Sequence, residues 1–437
     1  MSKKSLLAAF ALCATVANAN SREVAISVDS LLCRVAAVNK DIVAAKSNFE
    51  AVCQGIAVAE SARLPRISAS LDLNYLGDGT VLDRDFSNAM RDKLPHFGNT
   101  LNVNLYQPVY QGGAITAGID LARNEAELAA IGVGQQTDAS SIEALSAYFN
   151  LMKMQNLRKV YEQNIVATQK LIDNMVERQR QGTALKNDIT RYELRMSSLN
   201  FDLKSIGNSI SVLNHDLVTM LSLDSDMQIC AIETDISVSD YPEAYWQDLT
   251  SDGSLELRAL GATRKLAETG LRLERADRLP SVGIVVGDQL LGPVTFEIPA
   301  LNKNYNAWFA GVSIKYNLSS LWTANKRERR KKLEIAHIDD RSMALSEALD
   351  RRVHQAYTAM TEARQMLATE EVNVRLATEN YAVVETRFEN DMALLTDMLD
   401  ASTAKLDAET RLVNANINLI LAYYQLKYIS GTLNTNR

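Results

Sequence analysis

Two carboxylates near the C-terminus have the clearest potential for chemistry. Asp397 and Asp400 are three residues apart, so on a helix their side chains share one face. Around the axis of a closed oligomer such pairs would form a ring of carboxylates, and rings of this kind favour cations in channels. Asp397 also opens a helical pattern, and the simpler interpretation is that its charge stabilises that helix N-terminus by under about 1 kcal/mol.

No arrangement of residues predicts catalysis. The histidines His96, His215, His337 and His354 are dispersed and lack metal-ligand spacing. The sequence has no Gly-x-Ser-x-Gly motif and no phosphate-binding loop. We therefore expect no enzyme activity, no cofactor and no metal site.

The charge balance argues against nucleic acid as a partner. The net charge is −7, which leaves no basic footprint for a phosphate backbone. One basic run, Lys326–Lys332, follows the last predicted strand. We interpret it as a solvated helix start, or alternatively as a basic collar that touches anionic lipid headgroups or lines a tube.

The N-terminus predicts export. Lys3 and Lys4 precede a short apolar stretch, Leu6–Val16, and Ala17-Asn18-Ala19 is a typical cleavage site, so residues 1–19 are predicted to be a signal peptide. No later stretch of about 20 apolar residues could span a membrane as a helix. A mature chain that enters a membrane would then have to do so as a barrel.

Three cysteines, Cys33, Cys53 and Cys230, follow the predicted cleavage site. Cys33 and Cys53 fall on what is predicted to be one helix, too far apart to bridge. Their odd number and scattered positions predict small buried side chains rather than a disulfide framework.

The sequence is internally duplicated. Leu-Pro pairs ending at Pro65 and Pro280 lie 215 residues apart, and each closes a helical pattern and opens an alternating one. Asp188 and Asp397 open comparable helices at an offset of 209 residues. Such landmarks predict two repeats, 20–226 and 254–437, joined by an insertion at 227–253.

Each repeat contains two predicted strands, near 66–76 and 100–110 and near 281–291 and 306–318. Apolar and polar residues alternate over about ten residues, which is typical of tilted strands between lipid and water. A soluble sheet with one wet face is the alternative. Aromatic residues near the strand ends could form a girdle: Tyr75, Tyr106, Tyr110, Trp308 and Tyr316.

Prolines and glycines mark the changes between strand and helix. Pro65, Pro108 and Pro280 stand beside predicted strands, and Gly112-Gly113 would permit a tight backbone change between a strand and the next helix. These glycines lack the spacing and the βαβ unit of a dinucleotide-binding motif, so we expect no dinucleotide site here.

The remaining sequence is predicted to be helical. Segments with few breakers are 22–63, 113–181, 185–222, 254–277, 323–390 and 395–430. The longest exceed 60 residues, which suits coiled-coil packing better than a globular core. Met227–Trp246 contains Pro242 and mixed polarity, and it is predicted to be non-helical.

Four strands cannot close a barrel, and an open edge in lipid leaves unpaired backbone groups that cost several kcal/mol each. One chain would therefore borrow strands from identical copies. Two copies give eight strands and three give twelve, and the strands alone do not choose between them.

The sequence resembles the TolC-like family of outer-membrane efflux proteins over nearly all of its mature length. The resemblance is carried by six stretches in order: Ala62–Pro65, Tyr106–Gly113, Gln181–Asp188, Arg387-Phe388, Asp397–Ala401 and Gly431–Leu433. It implies a mainly α-helical protein with a membrane β-barrel portion. Three protomers would share a twelve-stranded barrel beneath which a coiled-coil tube extends into the periplasm.

The same resemblance implies partners and a gate. A periplasmic adaptor and an inner-membrane pump of RND or ABC type would open the duct. Asp397, Asp400, Asp188 and Phe388 match positions at the periplasmic entrance of family members. Asp391 stands where the family usually has glycine and Ala393 where some members have an arginine that pins the gate, so we expect a leakier or differently latched resting state.

A second hypothesis is a periplasmic coiled-coil stalk or adhesin. It accounts for the long helices and the signal peptide, but it leaves unexplained why alternating strands recur at equivalent places in both repeats. The transported substrate, and the choice between drug efflux and protein secretion, are beyond what the residues indicate.

Overall fold

The structure is a computed structural model that describes residues 23–232, 238, 240–297 and 299–434, so the predicted signal peptide lies outside it. Its helices are α1 (Val28–Val38), α2 (Lys40–Glu60), α3 (Ala114–Arg180), α4 (Lys186–Met220), α5 (Glu243–Gly253), α6 (Leu255–Ala276), α7 (Ser320–Glu389) and α8 (Leu395–Ile429). Its strands are β1 (Glu23–Ile26), β2 (Arg66–Tyr75), β3 (Gly79–Val81), β4 (Met90–Asp92), β5 (Phe97–Gln111), β6 (Gln228–Ala231), β7 (Ser281–Gly292) and β8 (Tyr305–Lys315). None of the described helices has a stretch long and apolar enough to cross a bilayer.

The first predicted helix is instead a strand followed by two helices. β1 occupies its start, and the chain leaves the helical conformation at Asn39, whose ψ is 128°. The Asn39 side chain then accepts hydrogen bonds from the backbone N–H groups of Asp41 and Ile42, which begins α2. Asn39 thus ends one helix and caps the next, a local signal that the scarcity of glycine and proline in this segment does not reveal.

The prediction that Met227–Trp246 is non-helical is wrong for its last residues. α5 begins at Glu243, directly after Pro242, a residue that suits helix starts because its φ is preset. Trp246 is buried against α7 and α8, so packing favours the helix. The burial predicted for cysteines also fails, since Cys33 and Cys230 are exposed.

The described chain forms two compact units. The helical unit contains the chain up to Lys46, Val133–Glu256 and the chain from Leu345 onward. The sheet unit contains Ser47–Gly132 and Leu257–Ala344.

The main core of the helical unit surrounds a small parallel sheet formed by β1 and β6. Tyr148 and Phe149 are fully buried there, and the Tyr148 hydroxyl donates to the Ile26 carbonyl over 2.7 Å. Side-chain amides cover the other edge of β6: Asn214 accepts from the Ile229 N–H, and Gln155 donates to the Ile229 carbonyl over 2.8 Å. The backbone groups on that edge are therefore satisfied without a third strand.

The sheet unit contains a four-stranded antiparallel sheet in the order β2-β5-β7-β8. The predicted strands agree with it within a few residues, except that β8 ends at Lys315 and Tyr316 lies outside it. β2 and β8 are the edges, and all ten residues of β2 are exposed. Neither edge strand has a partner on its outer side among the described residues.

The register gives the sheet a mainly apolar face and a mainly polar face, with Asp288 on the first and Phe309 on the second among the exceptions. Ile67 lies opposite Leu105, which lies opposite Val286, and residues two apart continue this face along each strand. The apolar face carries exposed Ile67, Leu71, Leu73, Tyr75, Leu101, Val103, Ile284, Val286, Trp308, Val312 and Ile314. The polar face carries Ser68, Ser70, Asp72, Asn74, Thr100, Asn102, Asn104 and Gln289. So large an exposed apolar surface needs a cover.

Of the predicted transition residues, Pro65, Pro280, Gly112 and Gly113 lie where strands meet helices in this unit, whereas Pro108 lies within β5. Pro65 and Pro280 directly precede β2 and β7, and the register shifts by a bulge next to Pro108. Gly112 and Gly113, between β5 and α3, have φ values of 60° and 86°. A Cβ on Gly112 would lie 2.6 Å from the carbonyl oxygen of Ala276, whereas a Cβ on Gly113 would meet nothing within 4 Å.

We expect Gly112→Ala to impair folding far more than Gly113→Ala. Both substitutions place alanine at positive φ, which costs about 1–2 kcal/mol, but only the first also forces the backbone at the end of α6 to move. Chemical denaturation of the two purified variants, followed by circular dichroism, measures the difference. Equal loss of stability would contradict the close contact between Gly112 and Ala276.

Candidate functional site

The predicted gate residues lie at two turns of the helical unit, α3–α4 and α7–α8, and these turns have the same backbone structure. Gly182 and Asp391, 209 residues apart, both adopt left-handed φ values, 80° and 59°. The N–H of Thr183 bonds the Arg178 carbonyl over 2.9 Å, and the N–H of Met392 bonds the Arg387 carbonyl over 2.8 Å. The two turns, which are equivalent in the sequence duplication, therefore also have equivalent backbone hydrogen bonds.

Asp188 and Asp397 each cap the helix that follows their turn. The Asp188 carboxylate accepts the N–H of Leu185 over 3.2 Å, and the Asp397 carboxylate accepts the N–H of Leu394 over 3.0 Å. Both carboxylates sit in the first turn of a helix, where negative charge is stabilising. Asp400, one turn further along α8, is exposed and has no such bond.

Phe388 is a packing residue within the protomer. It is 7% exposed and lies in a cluster with Ile189, Tyr192 and Met398, which joins the two turns. The cluster thus brings Phe388 together with residues adjacent to Asp188 and Asp397.

Tyr192 is the most buried polar residue of this cluster, at 1% exposure. Its phenol oxygen has no hydrogen-bond partner among the described residues. Burial raises the pKa of Tyr192 above its usual value, and the charge of Asp188 adds to the effect. The phenol therefore stays neutral, and its ring contributes to packing.

Arg178, which sequence reasoning missed, holds the α7–α8 turn. Its guanidinium donates to the Asp391 carboxylate over 2.7 Å and to the carbonyl of Glu389 over 2.8 Å. It also donates to the carbonyl of Phe388 over 3.2 Å and lies 5.3 Å from the centre of the Phe388 ring. The guanidinium thus satisfies carbonyl groups at the C-terminus of α7, where positive charge is favourable.

This set of contacts, which we call the Arg178 clasp, gives Asp391 a role. A glycine at that position would keep the left-handed turn but would lose the ion pair. An arginine precedes the left-handed residue by four positions in both repeats, a pattern that singles out Arg178 without showing which group it binds.

The five aromatic residues proposed for a girdle are divided between the faces of the sheet. Tyr75, Tyr110 and Trp308 lie on the apolar face, and Tyr316 follows β8. Tyr106 differs from the expectation: it lies opposite Arg66 and Val285 on the polar face, because it is one residue out of phase with Leu105. Its ring lies over Gly283, where a Cβ would come within 2.4 Å of it.

Among the residues that the structure describes, no group of three or more His, Cys, Asp or Glu side chains could hold a metal ion. The basic run at Lys326–Lys332 is largely paired. Glu328 accepts from Arg275 over 2.8 Å and lies 3.1 Å from Lys332, and Arg327 donates to Asp277 over 2.7 Å. These contacts tie the end of α6 to the start of α7.

Comparison with known proteins identifies the family. The sequence profile described as "Outer membrane efflux protein" matches residues 31–191 and 247–432, most of the chain. The chain belongs to this family. No protein with a curated description matches it by sequence. As an outer-membrane efflux protein it is a member of a family of channels, not of enzymes.

Solved structures show the same fold at low sequence identity. VceC, an outer membrane protein of Vibrio cholerae, is 14% identical, with a TM-score of 0.73 over 92% of this chain and 96% of that one. CusC is 11% identical, with a TM-score of 0.76 over 96% of both chains. The CmeC outer membrane channel of Campylobacter jejuni is 11% identical, with a TM-score of 0.72 over 93% of this chain and 86% of that one.

We expect Arg178→Gln to loosen the α7–α8 turn. Loss of the charged hydrogen bonds should cost about 1–2 kcal/mol locally, which would raise amide hydrogen exchange at Asp391 and Met392 roughly five- to thirty-fold. The matched control is Arg180→Gln, because Arg180 is exposed and, within the described part of the chain, pairs only with Glu177 on its own helix. Equal exchange in both variants would remove the Arg178 clasp as a stabilising element.

Proposed function

We propose that three copies of this chain form an outer-membrane duct through which a tripartite efflux or type I secretion assembly exports its substrates. Each copy contributes four strands to a twelve-stranded barrel, and the long helices continue the passage into the periplasm. A periplasmic adaptor and an inner-membrane pump, of RND or ABC type, supply the energy and open the passage. The observation that carries this proposal is a membrane-like sheet with two unpaired edges.

The directions of the two edge strands favour closure by identical copies. β2 runs from the helices towards the far end of the sheet, and β8 runs back. β8 of one copy therefore lies antiparallel to β2 of the next, as every other pair in the sheet does. Closure in this way leaves no backbone groups exposed to lipid.

The apolar face also has the slope that a barrel requires. On β2 the apolar stretch is centred on Leu71. The pairs Leu71 with Leu101, Leu101 with Leu290 and Leu290 with Asn306 place Leu71 in the same row of the sheet as Asn306 of β8. On β8 the apolar stretch runs from Trp308 to Ile314, so its centre lies about five residues nearer the helices. Five residues correspond to about 17 Å along the strands, over about 14 Å of sheet width. An apolar band inclined this steeply becomes level when strands tilt by roughly 45°, as in membrane barrels.

The composition of the polar face favours three copies over two. An eight-stranded barrel has an interior that side chains can fill, whereas larger barrels enclose water. The polar face here is rich in serine and asparagine, such as Ser68, Ser70, Asn102 and Asn104. Short polar side chains suit the wall of a water-filled passage.

The duplication supplies the register of the joint between copies. In the first repeat the β2–β5 hairpin begins with the pair Arg66 and Tyr106, and in the second the β7–β8 hairpin begins with Ser281 and Lys315. The first members of these pairs make β2 equivalent to β7 at an offset of 215 residues. The second members of these pairs give an offset of 209 for β5 and β8. The β5–β7 joint, which lies within one chain, is then the counterpart of the β8–β2 joint between chains. Its pair Leu105 with Val286 corresponds to Ile314 with Leu71 of the next copy.

The test is a cross-link at this joint. In a chain whose cysteines are replaced by serine, Leu71→Cys with Ile314→Cys should oxidise to covalent trimers, because directly opposed residues have Cβ atoms about 5 Å apart. Ala69→Cys with Ile314→Cys is the matched control, shifted by one step along the same face, and it should link poorly. The trimers should stay in outer membranes through a salt wash and dissolve in detergent. A monomer that leaves in the salt wash would favour the coiled-coil stalk instead.

We also propose that Asp397, Asp400 and Asp188 line the periplasmic entrance, with Phe388 packed behind them. Asp400→Ala should weaken block by multivalent cations in planar-bilayer recordings without loss of helix stability. Asp397→Ala should weaken block and also remove a cap, at about 1 kcal/mol. Asp216→Ala, an exposed change on α4, is the control. Block that is unchanged in the Asp397→Ala, Asp400→Ala double variant would remove these residues from the passage.

A further inference from the structure

Among the residues that the structure describes, one of the two equivalent turns of the helical unit is clasped by an arginine and the other is not. Arg178, in the last turn of α3, binds the α7–α8 turn of its own chain. Its repeat counterpart is Arg387, 209 residues later and in the last turn of α7. Among the described residues, the exposed Arg387 side chain makes no hydrogen bond and no ion pair. Its backbone carbonyl, in contrast, makes the same bond as that of Arg178.

The turn that Arg387 would be expected to bind is also open. By the same offset, Gln179 and Arg180 are the counterparts of Phe388 and Glu389, whose carbonyl groups Arg178 binds. Gln179, Arg180 and Gly182 are all exposed in the protomer. One chain therefore contains Arg387 without a side-chain partner among the described residues and an exposed α3–α4 turn. Their repeat counterparts, Arg178 and the α7–α8 turn, bind each other.

We infer that Arg387 of one copy binds the α3–α4 turn of the next copy, donating to the carbonyl groups of Gln179 and Arg180. This rests on the trimer proposed above, in which the two helical hairpins of each chain alternate around one axis. Each turn then has one neighbour in its own chain and one in the adjacent copy. Arg178 of the α3–α4 hairpin binds the neighbouring α7–α8 hairpin in one direction around the ring. In the same direction, the neighbour of the α7–α8 hairpin is the α3–α4 hairpin of another copy, and Arg387 would bind there.

The clasp between copies lacks two contacts of the clasp within a chain. Gly182 stands in place of Asp391, so no carboxylate faces the guanidinium, and Gln179 stands in place of Phe388, so no ring lies beneath it. Hydrogen bonds to carbonyl groups remain. The contact between copies is therefore the weaker of the two and the first to part when the entrance widens.

Gly182→Asp offers a gain-of-contact test. The φ of Gly182 is 80°, close to the 59° at which Asp391 already carries an aspartate, and a Cβ there meets nothing within 4 Å. The new carboxylate would supply Arg387 with the ion pair that Arg178 already has.

The first experiment is cross-linking of the chain in outer membranes, again with Cys33, Cys53 and Cys230 changed to serine. Arg180→Cys with Arg387→Cys, treated with a short bismaleimide, should give covalent dimers and trimers. The control pair Arg178→Cys with Asp391→Cys should react within single chains. Detergent-extracted trimers that yield only monomers from the 180/387 pair would overturn the inference and leave the duct intact. Absence of trimers altogether would overturn both.

The second experiment is conductance of the resting channel in planar bilayers. Arg387→Gln should raise it, and Gly182→Asp should lower it only when Arg387 is present. Arg375→Gln is the matched control, because Arg375 is an exposed arginine of the same helix whose one ion pair among the described residues is with Glu379. An effect of Gly182→Asp that persists in the Arg387→Gln background would overturn the assignment, as would equal conductance of Arg387→Gln and Arg375→Gln.

Discussion

A backbone N–H or C=O group that faces hydrocarbon has no water to bond, and each such group costs several kcal/mol. This constraint governs the sheet unit. In the proposed duct its apolar face lies against lipid, yet β2 and β8 of a single copy would expose two rows of unpaired backbone groups to that lipid. The two requirements are compatible only if each edge is covered by a strand of another copy. Oligomerisation is therefore a condition for placing this sheet in a membrane.

The same constraint is met differently in the helical unit. There the chain satisfies the outer edge of β6 with its own side chains, since Gln155 and Asn214 bond the groups that another strand would otherwise bond. One unit is thus completed within the chain, and in the proposed assembly the other is completed by identical copies. The chemistry of the two edges matches their surroundings, because polar side chains can cover an edge in a water-facing region but not one in lipid.

Regular elements were predictable because their signals are periodic and long. The four strands of the large sheet, five of the six long helical segments and the duplication all follow from alternation, few breakers and constant offsets. The misses are short and depend on packing. β1 has four residues and is fixed by pairing with β6, far away in sequence. α5 was obscured by Pro242, and the buried side of Trp246, which stabilises the helix, is a tertiary property.

The candidate site was predictable in position and less so in its contacts. The order of the motifs located both turns. A sequence does not show, however, that the carboxylates of Asp188 and Asp397 accept hydrogen bonds from backbone N–H groups at helix N-termini. It also does not show that Asp391 faces Arg178 across 213 residues of chain. Tyr106 was assigned to the girdle by its nearness to a strand end, although its phase relative to Leu105 already placed it on the opposite face.

The equivalence of the β5–β7 joint and the joint between copies has an evolutionary consequence. Six copies of a single repeat could close the same twelve-stranded ring, and all six turns at the entrance would then be identical. With two repeats in one polypeptide, one turn can carry Asp391 while the other carries Gly182. In the proposed trimer, a ring of six joints can therefore alternate between strong and weak ones, a pattern that no assembly of single repeats could encode.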